Sequence, residues 1–353
     1  MSDELKLDVA LLRRKVPNLT TAARSVGLRP ATVSNLCTGK IPVGRAEVRT
    51  LVALASLAGC KVDDLLIKGS GVGMIETGIK VLDLFAPLVR GGTVGFVARP
   101  GMGQFVLLPE IFYRLKQRGF VTVYVKPERE LQGSEEIYTE TDVICQNVQE
   151  ACEQIETLRI DKDVILCIDR SVVLSGELFD IQDQLHDPGA RPVTYAIVDF
   201  QGESVEEDAP YGPLETLWRF DMELVTRKMY PAIDPVMSTS TILEGAHLET
   251  THLTVQQKAK KMLRRYRELR HIVNAWGIEK LPDTDKTIYH RGEKLEAFLT
   301  QPFYVAEAYT KKKGEWLKVS ETLEDIRLII DGKADESPLE KLQYLGRLNE
   351  VSR

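Results

Sequence analysis

What the chain lacks narrows it first. Its five cysteines, at 37, 60, 145, 152 and 167, are odd in number and form no CxxC pair. That scatter argues for a reducing compartment and against a disulfide frame or a zinc site. The five histidines are equally dispersed, so no metal cluster is expected. No apolar run reaches the ~18 residues that a membrane-spanning helix requires. The opening stretch MSDELKLDVALLRRK is too charged for a secretory leader. A cytoplasmic protein with no membrane partner is the expectation.

What is present suits a large soluble protein. A chain of 353 residues has room for two or three domains, and 43% hydrophobic residues support a sizeable core. The net charge of −6 is unevenly spread. Residues 1–67 hold ten Lys/Arg against six Asp/Glu, whereas the rest holds 36 against 46. A basic N-terminal unit on an acidic body points to a polyanionic partner for that unit alone.

Residues 1–67 read as five short helices. LKLDVALLRRKV has apolar residues at helical spacing. LTTAARSVG opens with threonines able to cap a helix and stops at Gly27. LRPATVSNLCTG places Pro30 in a first turn and Gly39 just past the end. GRAEVRTLVALASLAG is a longer amphipathic helix, and KVDDLLI closes the set. The stretch TTAARSVGLRPATVSNLCTGK resembles the helix-turn-helix of the phage-repressor and Lac-repressor families, and LASLAGCKVDDLL resembles the end of the phage-repressor domain. Ala23 would sit where the two helices approach, with Gly27 in the turn and Val33 and Leu36 facing the core. The resemblance implies a second helix that enters the major groove of double-stranded DNA. Its exposed candidates are Arg29, Ala31, Thr32, Ser34 and Asn35, with Lys40 and Arg45 placed to neutralise phosphate.

Residues 68–74, KGSGVGM, form a glycine-rich linker. Residues 75–245 alternate between strand and helix patterns. Strands are expected at Thr93–Val97, Val121–Val125, Val164–Ile168 and Val193–Val198, short β-branched runs that suit a buried, mainly parallel sheet. Residues 246–353 turn helical, with VQQKAKKMLRRYRELRHIVNAWG the longest stretch. The fold class is therefore α/β, flanked by an all-α N-terminal unit and a helical C-terminal region.

Three segments carry a resemblance to the β subunit of rotary ATP synthases. They are ETGIKVLDLFAPLVRGG, YPAIDPVMSTSTIL and FLTQPFYVAEAYTKKKGEWLKVSETL, in that family's order across about 270 residues. The resemblance implies a P-loop nucleotide domain followed by a helical domain. ARPGMGQF, residues 98–105, stands where the phosphate loop belongs. Such a loop needs glycines to let backbone N–H groups surround phosphate, a lysine at the β and γ phosphates and a hydroxyl for Mg²⁺. Gly101 and Gly103 remain, but Gln104 replaces the lysine and Phe105 the threonine. Of the family's other positions, Glu128 matches the glutamate that positions water, with Arg129 beside it, and Asp169 matches the metal-supporting aspartate. Thr241 replaces the arginine that in related subunits reaches a neighbour's γ phosphate. Tyr230, Phe303 and Tyr309 match the aromatics that enclose adenine, or they are core residues at a domain junction.

The loss of lysine, hydroxyl and arginine together implies no useful hydrolysis, because an arginine finger alone is worth about 10³–10⁵ in rate. The expectation is a DNA-binding protein, a transcriptional regulator or DNA organiser, with an inactive ATPase-like body as its oligomerisation scaffold. The family's head-to-tail contacts imply a self-associated ring or filament. No cofactor is expected in that case; Phe105 would plug the phosphate space, and Arg99 or Arg170 would pair with Glu128 and Asp169. The alternatives are a regulator that binds ATP or ADP without turnover and an ATPase with an unorthodox loop. The basic run at 258–271 is a candidate second DNA contact.

Overall fold

The computed structural model describes residues 5–16, 18–38, 40–68, 73–127, 133, 135–187, 190–207, 210–212, 214–244 and 248–350. The N-terminal unit opens with strand β1, Leu5–Leu7, followed by helices α1 (Val9–Lys15), α2 (Leu19–Ser25), α3 (Pro30–Cys37) and α4 (Val48–Ala58). It closes with strand β2, Leu66–Lys68, which pairs antiparallel with β1. The five-helix expectation is corrected at both ends: KVDDLLI is a 3₁₀ turn plus β2, and LKLDVALLRRKV begins as β1. The ladder satisfies backbone groups that a short terminal helix would leave open. Asp8 caps α1 by accepting from the Leu11 N–H at 2.8 Å. Helix α2 begins at Leu19, so its cap position falls on Asn18 and not on a threonine. Leu12, Ala23, Val33, Leu36 and Leu54 fill a core of the unit's own.

The body is built on a seven-stranded sheet. The chain enters it through a two-residue pair, β3 (Met74–Ile75) with β4 (Leu88–Val89), that brackets helix α5 (Lys80–Phe85). The sheet strands are β5 (Thr93–Val97), β6 (Phe120–Val125), β7 (Val143–Cys145), β8 (Asp163–Asp169), β9 (Val193–Val198), β10 (Thr216–Arg219) and β11 (Thr239–Ser240). Their order is β11-β10-β5-β9-β8-β6-β7. Only the β10–β11 pair is antiparallel. Strands β5 and β9 are buried along their whole length, which explains their largely apolar, β-branched sequence. Helix α6 (Gln104–Lys116) leaves the β5 loop and packs with α7 (Glu135–Glu140) on one face, while α8 (Val148–Leu158), α9 (Ser171–Leu174) and α10 (Glu177–Gln184) belong to the other.

After the short α11 (Met222–Thr226), the C-terminal region is helical, with α12 (Thr250–Trp276), α13 (Asp283–Phe298), α14 (Glu307–Thr310) and α15 (Val319–Ile330). A buried polar node joins it to the sheet. Arg114 of α6 is fully buried and donates to Glu110 Oε1 at 2.6 Å, to the Gly78 carbonyl at 2.9 Å and to the Glu315 carbonyl at 2.9 Å. Glu110 in turn accepts from the backbone N–H groups of Tyr304 and Val305. Gln301 bonds the Lys80 N–H and the carbonyls of Gly78 and Glu315. Lys80 Nζ donates to the carbonyls of Phe298 and Leu345. No helix of the described residues is long and apolar enough to cross a membrane.

Two outcomes follow from the node. Arg114→Ala strands the Glu110 carboxylate and should cost about 3–5 kcal/mol, read as a lower denaturant midpoint. Burial pulls the Lys80 ammonium down to about 7, against the pull of Glu315, Asp325 and Glu350. Above that pH the folded state has released a proton that the unfolded chain keeps up to its ordinary value, so this group's contribution rises with pH. Between about pH 7.5 and 9.5, wild type should therefore gain stability relative to Lys80→Met in parallel urea titrations.

Candidate functional site

The loop after β5 is a glycine-bearing turn that leads from a sheet strand into α6. Gly101 and Gly103 both hold positive φ, 87° and 100°, a region that favours glycine. Gly103 caps α6, its carbonyl accepting from the N–H groups of Val106 and Leu107. The Met102 N–H returns to the Arg99 carbonyl at 3.2 Å, which closes the turn. Gln104, the first residue of α6, is only 1% exposed, and neither its Oε1 nor its Nε2 has a hydrogen-bond partner among the described residues. A neutral amide at this point supplies no charge to a phosphate.

Phe105 is half-buried and its ring stacks on Phe200, with centroids 5.7 Å apart and an interplanar angle of 23°. Phe200 meets Tyr124 edge-on at 6.3 Å. The aromatic ring therefore ties the start of α6 to the segment that follows β9, and it carries no metal-ligating oxygen.

The two loop arginines pair with partners other than those expected. Arg99 bonds Glu206, and Arg170 Nη2 donates to Glu207 Oε1 at 2.6 Å. Asp169 is half-buried, and its Oδ1 accepts from the Ser171 N–H at 3.0 Å. Neither arginine pairs with it, which corrects the expected arginine–Asp169 contact. The reason is strand order: β9 lies between β5 and β8, so the acidic residues after β9 reach both arginines first. Glu128 and Arg129 lie outside the described residues. Sequence reasoning passed over this acidic segment, although DFQGESVEED directly after a strand was a visible signal.

The other positions separate in space. Tyr230 lies against the loop: a Cβ placed on Gly103 would stand 3.6 Å from its ring. Its carbonyl accepts from the Gln301 N–H, which brings the strand-like stretch before Phe303 alongside, and Phe303 is buried in the same core. Tyr309 is apart from them, 78% exposed, with its hydroxyl 3.4 Å from Glu136. Thr241 sits beyond β11, its N–H bonded to the Glu215 carbonyl just before β10. Because β10 runs parallel to β5, this is the end of the sheet opposite the loop.

In the N-terminal unit, α2 and α3 meet across a turn where Gly27 has φ 75° and the Leu28 N–H bonds the Ala23 carbonyl. Val33 and Leu36 point into the core. Arg29, Ala31, Ser34, Lys40 and Arg45 are exposed, and Thr32 and Asn35 are half-buried on the same helix. Gly39 lies outside the described residues. In the basic run of α12, Arg265, Arg267 and Arg270 are engaged with Asp285, Asp234 and Glu223, while Lys258, Lys261 and Arg264 are exposed.

Comparison with known proteins bears on the body. Residues 243–336 match the family model for the C-terminal domain of V and A type ATP synthase. The structure of an ATP synthase subunit, NeqB from Nanoarcheaum equitans, described as unique, is similar to this chain with a TM-score of 0.62 and 17% identity. The similarity covers 74% of this chain and 78% of that one. The fold is thus shared with an ATP synthase subunit, and the helical C-terminal region matches that enzyme class in sequence as well.

Proposed function

We propose that this protein binds double-stranded DNA through its N-terminal helix pair and uses an ATP-synthase-like body, without efficient hydrolysis, to self-associate. The observation that carries the reading is a retained loop without its working groups. The turn, the two positive-φ glycines and the helix remain, but Gln104, Phe105 and Thr241 stand where lysine, threonine and arginine are needed. A fold kept without its catalytic groups has a use other than turnover. Joining several weak DNA-binding units through one scaffold raises their effective concentration on the duplex. The head-to-tail contacts of rotary ATPases supply a geometry for that joining, either a ring or an open filament. The reading comprises a transcriptional regulator or a DNA-organising protein, with α3 in the major groove and Lys40 and Arg45 on phosphate.

A second reading keeps the same partner and adds a nucleotide. The half-buried Tyr230 beside Gly103 offers an aromatic face for a base, so ATP or ADP would tune self-association without being turned over.

Mobility shifts on duplex DNA across a salt series test the first reading. Affinity should fall steeply with salt, and Arg29→Ala combined with Lys40→Ala should weaken it at least about tenfold and flatten the salt slope by about two. Affinity that ignores both salt and the two substitutions would remove the DNA role. Purified protein should show no ATP turnover above background. Turnover that disappears in Glu128→Gln would establish the enzyme instead.

A further inference from the structure

The segment after β9 does more than cross the sheet edge. Within residues 199–207 it carries Asp199, Glu203, Glu206 and Glu207. Strand β9 is flanked by β5 and β8, so the segment leaves the sheet between the loops that bear Arg99 and Arg170. It is bound to both. Glu206 pairs with Arg99. Arg170, only 3% exposed, bonds Glu207, donates Nε to the Pro210 carbonyl at 3.2 Å and has Asp199 and Glu203 oxygens each 3.9 Å away.

The segment's own turn is built to lie flat on the loop. Asp199 accepts from the N–H groups of Gln201 and Gly202 at 2.9 Å and of Ser204 at 2.6 Å. Gly202 takes φ 80°, and a Cβ there would stand 2.6 Å from Pro100 Cδ and 3.0 Å from the Arg99 Cα. Phe105 adds the stacking contact with Phe200. Three independent links therefore hold the segment against the start of α6: ion pairs, backbone contact and ring stacking.

The carboxyl-terminal edge of a parallel sheet is where α/β folds take anionic ligands. Two guanidinium groups on neighbouring loops stand beside the N-terminus of a thirteen-residue helix, groups that each favour an anion. A guanidinium as buried as that of Arg170 needs a counter-charge. Here the chain itself supplies it. The Gln104 amide at the base of the same edge has no hydrogen-bond partner among the described residues.

We infer that residues 199–207 are an internal occupant of a polyanion site, in which Glu206 and Glu207 take the two arginines that a polyphosphate would need. The segment excludes such a ligand by like charge as well as by occupancy. Glu206 is 73% exposed and its partner Arg99 54%, so that pair is screened by salt; Glu207 is 48% exposed, so solvent reaches both carboxylates and the occupant is displaceable from the Arg99 side. This inference does not depend on a DNA role.

Titration calorimetry with inorganic tripolyphosphate, in the absence of DNA, tests it on the full chain. Wild type should bind weakly or not at all. E206Q/E207Q removes two negative charges while keeping hydrogen-bonding groups at both positions, and it should bind at least about tenfold more tightly. Arg99→Ala in that background should abolish the gain. The single change E206Q, at an exposed position, should show part of the gain with an unchanged circular dichroism spectrum. Equal affinity in wild type and double variant, no binding by either, or a gain that survives Arg99→Ala would each overturn the inference.

Discussion

The body of this protein depends on one buried ion pair and the backbone that surrounds it. Arg114 and Glu110 lie on the same face of α6, one turn apart, and both are fully out of water. A pair so placed stabilises only if its remaining hydrogen-bonding capacity is filled. The filling comes from residues 77–78 on one side and 304–315 on the other. The helix that starts at the candidate loop is thereby locked to the C-terminal region by groups that cannot be exchanged singly. Gln104 and Phe105 precede Glu110 on the same helix and take no part in these hydrogen bonds.

The same separation clarifies the electrostatics of the sheet edge. In an active phosphate loop, cations await a ligand. Here both arginines are paired within the chain, and the Phe105 ring is part of how the acidic segment is held. The charge logic of the site has turned inward. The two arginines contribute to internal cohesion, whereas exposed cations stand on the N-terminal unit, on α12 and in the Lys311–Lys313 run.

Much of this was legible in the sequence, for identifiable reasons. Thr93–Val97 and Val193–Val198 were placed at their observed limits because each is a largely apolar, β-branched run between breakers. Strands β7, β10 and β11 were missed; they have two to four residues, too short for a periodic signal. KVDDLLI was misread because its partner, Leu5–Leu7, lies some sixty residues away and pairing is not a local property. The arginine partners were misassigned for a similar reason. Residue types made Asp169 an attractive partner, but strand order decides which carboxylates reach Arg99 and Arg170, and strand order is not written in composition. The aromatic set divides on the same principle, since Tyr230 lies on the loop and Tyr309 faces solvent.

The three-residue ladder that closes the N-terminal unit has a mechanical meaning. Leu5 faces Lys68 across it, so the chain leaves the unit beside the place where it entered. The body is thus coupled to the unit through one end of a short antiparallel pair, supported by the exposed bridges Lys15–Asp183 and Arg13–Glu244. Tension on Lys68 from the body, with the unit held elsewhere, would load the ladder bond by bond from that end. Antiparallel pairs pulled this way unzip at low force, because their hydrogen bonds break in sequence.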